Sequence, residues 1–97
     1  MDKMIYLNTL YDIYKDLFTE KQQMYYEAYY FENLSLGEIA DNNDVSRNAV
    51  HNQLKIIEEK LLELENKLKI HEKQEKILKI VEKKADKKVY EEIKRII

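Results

Sequence analysis

A chain of ninety-seven residues with a net charge of −2 is long enough for one domain with a single modest core. It contains no Pro, one Gly and no Cys, and 37% of it is charged, a composition that reads as all-α and leaves no disulfide or thiolate chemistry. No apolar run reaches transmembrane length, and Asp2, Asn8, Asp12 and Lys15 interrupt the N-terminus, so a cytoplasmic protein without membrane insertion is expected.

Residues 3–17 read as a first helix, with Met4, Leu7, Leu10, Tyr11, Tyr14 and Leu17 recurring at three- and four-residue steps. Thr19 then caps a second helix, with Gln22 at the capping-box position, running to Glu32 or Asn33. Its aromatic density suggests two roles for Tyr25, Tyr26, Tyr29, Tyr30 and Phe31. One is a stacking platform for single-stranded nucleic acid. The other, favoured because only Lys21 is a nearby cation, is core packing with Met24, Ala28 and Phe31 on the inner face, broadened by Tyr25 and Tyr29.

From Leu34 to Lys55 two helix starts lie close together. Ser35 with Glu38 makes a capping box, and Leu34 and Ile39 stand at staple spacing; Ser46 caps again, with Val45 and Val50 at the same spacing. Asn42, Asn43 and Asp44 between them tolerate left-handed backbone. Two short helices so joined must cross steeply, as in a helix-turn-helix, with Ile39, Ala40, Val45, Val50 and Leu54 filling the crossing.

The second motif helix does not stop there. Leu54, Ile57, Leu61, Leu64 and Leu68 extend it as a heptad seam, whose partner is either a C-terminal hairpin of the same chain or a second subunit, making a homodimer. Residues 71–84 and 87–96 read as two further helices with Asp86 as a cap. The expected division is a helix-turn-helix domain over 1–69 and a C-terminal extension over 70–97, packed on the long helix or on a partner subunit.

A catalytic or metal site is not expected. His51 and His71 are far apart without a second ligand at helical spacing, and there is no Gly-rich phosphate loop or nucleophile elbow, so neither an enzyme nor a cofactor is implied. The surface of the second motif helix is more informative. There Ser46, Arg47, Asn48, His51, Asn52 and Lys55 are placed to meet base edges and phosphates of duplex DNA. Charge is uneven: residues 1–46 carry three lysines against nine carboxylates, whereas residues 47–97 are net basic. A second candidate surface, for RNA or protein, is Lys83, Lys84, Lys87 and Lys88, diluted by Glu82 and Asp86.

Several stretches carry a family resemblance: Leu10-Tyr11-Asp12-Ile13-Tyr14, Leu17 to Gln22, Tyr29-Tyr30, Leu34 to Ala40 and Val45 to Asn52. Over residues 5–70 the chain resembles region 4 of bacterial sigma factors, and more closely the YlxM family of small helix-turn-helix proteins. Asp44 stands where the turn usually has Gly, and Asn43 where an apolar residue is common. The resemblance implies an all-helical, sigma-region-4-like fold. It also implies a regulatory or accessory role in the signal recognition particle pathway. Two functions follow as expectations: a DNA-binding regulator, or an accessory protein that binds the particle's protein or RNA.

Overall fold

The computed structural model describes residues 2–97, and the described residues form six α-helices and one 3₁₀ turn. They are α1 (Lys3–Tyr14), α2 (Glu20–Tyr30), α3 (Leu36–Asn42), α4 (Arg47–Leu68), α5 (Ile70–Lys84) and α6 (Lys87–Ile96), with the 3₁₀ turn over Lys15–Leu17. No helix among the described residues is long and apolar enough to cross a membrane.

The first helix is shorter than its stripe suggested. At Lys15 the chain tightens to three residues per turn, which rotates the stripe off register and leaves Leu17 54% exposed. Phe18 enters the core in its place, with the Lys60 ammonium 4.7 Å from its ring centroid and donating to the Leu17 carbonyl. Met4, also expected inward, is half exposed.

The Thr19 capping box forms in full, and α2 supplies core rather than a platform. Its inner face, however, only partly matches the expected one: Tyr25 and Ala28 are inward as expected, and Tyr26 joins them in place of Met24 and Phe31. Tyr25, Tyr26 and Ala28 are buried, whereas Met24, Tyr29 and Phe31 lie at the surface. Rings of this area drive the choice, provided each hydroxyl is satisfied. Tyr11 and Tyr26 stack at 4.2 Å, and their hydroxyls donate to Glu27 and Asn8 respectively.

The heptad seam finds its partner inside the chain. Leu54, Ile57 and Leu61 are buried, and α4 packs chiefly on α1, α2 and α3, with a smaller contact to α5. Leu64 is half-buried and Leu68 43% exposed.

Glu65, on the same inner side of α4, is 7% exposed and ties three elements together. Its carboxylate accepts from the Tyr14 hydroxyl of α1 at 2.7 Å and from the His71 and Glu72 amides of α5 at 3.1 and 3.0 Å. Lys69 takes a left-handed conformation, φ 55°, between α4 and α5, and has no side chain that can cap α5. Glu65 therefore caps α5 from the preceding helix. Burial by itself raises the Glu65 carboxyl; the Tyr14 hydroxyl, the two amides and the charge of His71 outweigh it and hold the group below the usual carboxylate range. The Tyr14 hydroxyl is pushed up to about 12, by burial first and the bond to Glu65 second.

Candidate nucleic-acid interface

The candidate face is positioned by how α3 ends. Ser35 and Glu38 complete the capping box at 3.1 and 3.0 Å, which also draws the exposed Glu38 carboxyl below its ordinary range. At the other end Asp44 adopts φ 53°, and the Val45 amide reaches back to the Ala40 carbonyl at 3.1 Å. That pairing, with a left-handed residue just before the donor, is a Schellman closure, and the residue replacing Gly fulfils it. The Asn43 side-chain amide adds a bond to the Ile39 carbonyl at 2.8 Å. Ser46 restarts the helix, its Oγ accepting from the Ala49 amide at 3.0 Å. Ile39, Ala40 and Val50 are buried in the crossing and Val45 packs against it, so this small core fixes the direction of α4.

Consequently Ser46, Arg47, Asn48, His51, Asn52 and Lys55 all stand exposed on the first turns of α4. The Ser46 hydroxyl is used for capping; the other five side chains make no hydrogen bond or ion pair among the described residues. Arg47 lies across the start of α3: a Cβ built on Gly37 would come within 3.0 Å of its Nε. His51 and Lys55 flank a cleft of about 210 Å³ with Tyr29, Tyr30 and Leu36. Glu58 shares this cleft and accepts from the Tyr30 hydroxyl at 2.7 Å; burial first, then that bond, raise the Tyr30 group. On the other flank, Asn52 shares a cleft of about 430 Å³ with Lys21 and Gln22. Lys21 is a cation beside the face that sequence separation concealed, because α2 brings it there only through tertiary packing.

Lys83 and Lys84 end α5, and Lys87 and Lys88 begin α6, all four exposed around the Ala85–Asp86 elbow. Asp86 caps α6 as expected, its Oδ1 accepting from the Val89 amide. The two candidate surfaces lie on different elements, with the remainder of α4 and all of α5 between them in the chain. Among the described residues no three His, Cys, Asp or Glu side chains gather as a metal site would require.

Two capped helices crossing at a tight turn, with a free polar face on the second, define an all-α helix-turn-helix protein. Comparison with known sequences agrees and narrows the class. A family model described as "Putative helix-turn-helix protein, YlxM / p13 like" matches residues 1–96, and the chain belongs to that family, UPF0122. Among its relatives, the UPF0122 protein of Oceanobacillus iheyensis is 41% identical over 100 aligned positions, covering 99% of this chain and 95% of the relative. That of Halalkalibacterium halodurans is 42% identical over 95 positions, 95% of this chain and 87% of the relative. That of Shouchella clausii is 49% identical over 73 positions, 75% of this chain and 67% of the relative.

Proposed function

We propose that this protein is a cytoplasmic DNA-binding regulator whose residues 1–69 form the working helix-turn-helix and whose residues 70–97 form an accessory arm. The observation that carries this reading is the free face of α4, with Arg47, Asn48, His51, Asn52 and Lys55 unengaged at the end of a helix that α3 holds rigidly. Arg47 contacts a guanine edge or a phosphate, Asn48 and Asn52 read adenine, Lys55 and His51 face the same groove, and the Ser46 amide meets a phosphate at the helix N-terminus. The acidic N-terminal half keeps non-specific affinity low, so sequence-selective contacts carry more of the binding. Selection from a random duplex library followed by anisotropy titration tests this reading. Wild type should enrich a consensus and Arg47→Ala should lose it; a library that stays random refutes the reading.

A second reading rests on the exposed Lys83, Lys84, Lys87 and Lys88 elbow. In it the chain serves the signal recognition particle pathway, capturing the particle's RNA or protein through the arm. Substituting these four lysines by Ala should then abolish capture of the particle from lysate, while Arg47→Ala leaves it intact. Nuclease treatment separates capture through RNA from capture through protein.

A further inference from the structure

Neither α5 nor α6 contains a buried residue. Yet each carries an apolar stripe at helical spacing: Ile70, Ile77 and Val81 on α5, and Val89, Ile93 and Ile96 on α6. These helices pack on each other, and α5 also touches α1 and α4; after those contacts Ile77 is still 43% exposed, Val89 40% and Ile96 82%. Helices this short are marginal in water unless an apolar face is covered.

Two dimensions of the whole molecule show how much cover is missing. The radius of gyration is 16.6 Å, against about 12.5 Å for a compact domain of this length. The accessible surface is 7067 Å², against about 5,900 Å² for a compact monomer of 11.8 kDa. The excess of about 1,200 Å² exceeds the roughly 800 Å² that each partner contributes to a standard interface.

We propose that a second copy of this chain covers the α5–α6 face, forming a two-fold symmetric dimer through the arms. The flanks of the stripe suit a self-complementary contact: Glu72 and Glu75 alternate with Lys73 and Lys76 on α5, and Glu91 and Glu92 precede Lys94 and Arg95 on α6. A two-fold axis sets unlike charges of such flanks opposite each other. A duplex has no apolar surface to offer this stripe, and an anionic membrane would meet Glu91 and Glu92 along with the lysines. The inference is independent of what the α4 face binds.

Sedimentation equilibrium of the full chain at micromolar concentrations tests it. Wild type should show twice the 11.8 kDa chain mass. Ile77→Lys combined with Val89→Lys should weaken the dimer about 100-fold or more. The cooperative melt of the α1–α4 core should be unchanged, since both residues are exposed in the single chain and lie outside that core. Met4→Lys and Ile56→Lys alter equally exposed apolar residues outside the arm and should leave the dimer intact. A wild-type monomer, a dimer indifferent to Ile77 and Val89, or a dimer lost equally in the Met4 and Ile56 variants overturns the proposal. So does a monomer that co-sediments with phosphatidylglycerol vesicles. Duplex titration of the same variants is read separately, so loss of the dimer and loss of DNA binding are distinguishable.

Discussion

Replacing Glu65 by Gln probes the joint that fixes the arm to the helix-turn-helix. In wild type one carboxylate oxygen takes the Tyr14 hydroxyl and the His71 amide, and the other takes the Glu72 amide. Glutamine keeps one of these oxygens and presents an NH₂ group where the other was, so the Glu72 amide faces a donor. Losing one hydrogen bond to a charged acceptor costs about 1.5–3 kcal/mol, and the bonds that remain become neutral and weaker. The expected total is about 2–3 kcal/mol, or roughly 10–15 °C in Tm for a domain of this size. Circular dichroism melts at neutral pH measure it, and hydrogen exchange should show the His71 and Glu72 amides opening first.

The pH dependence follows from the direction of the Glu65 shift. Its folded value lies below the ordinary value of about 4.3, so the folded state binds fewer protons there than the unfolded chain. The stabilisation is complete above that ordinary value and drains away as pH falls through the folded one. Glutamine does not titrate, so the difference between wild type and variant should be flat from neutrality to about pH 5 and close in stronger acid. A Gln variant within about 0.5 kcal/mol of wild type at neutral pH, or a difference that persists unchanged in acid, refutes the reasoning.

Three further outcomes are expected. Arg47→Ala and Lys55→Ala should each weaken duplex binding and flatten the slope of log affinity against log salt by about 0.9 for each phosphate no longer neutralised, measured by anisotropy across a salt series. Gly37→Ala places a methyl group 3.0–3.2 Å from the Arg47 guanidinium, a flexible side chain that can yield. Thermal melts should therefore show stability kept or raised by about 0.5–1 kcal/mol, while duplex affinity falls because Arg47 is re-aimed. Asp44→Gly relieves a left-handed L-residue and should stabilise the fold by about 0.5 kcal/mol in urea titrations, whereas Asp44→Val should destabilise it by more than that.

The parts of the fold that were legible in the sequence are those fixed by neighbours in the chain. Thr19, Ser35, Ser46 and Asp86 act over three residues, and each caps where its pattern placed it. Leu54, Ile57 and Leu61 were recognisable as a buried seam, but periodicity names a face and not what meets it, and the partner proved to be the N-terminal helices. The same limit left Tyr26 out of the expected α2 face, because it is drawn inward by Tyr11 and Asn8 from another helix. Glu65 illustrates it most clearly. A carboxylate in a Glu- and Lys-rich helix looks solvated, and its burial depends on Tyr14, 51 residues away, and on the turn at Lys69, a residue with no turn preference. In the candidate site the exposure of Ser46 and of the five α4 residues was legible, because a capped helix start specifies its own exposed face. Lys21, which joins them from α2, was not.

The first turns of α4 are the surface proposed to meet DNA. The most direct measurement is backbone amide chemical-shift mapping of the isotope-labelled full chain, titrated with a duplex selected from the random library. Shifts are predicted at residues 46–55 and at Lys21, with residues 83–88 unmoved. Shifts confined to 83–88, or none at saturating duplex, would contradict that proposal.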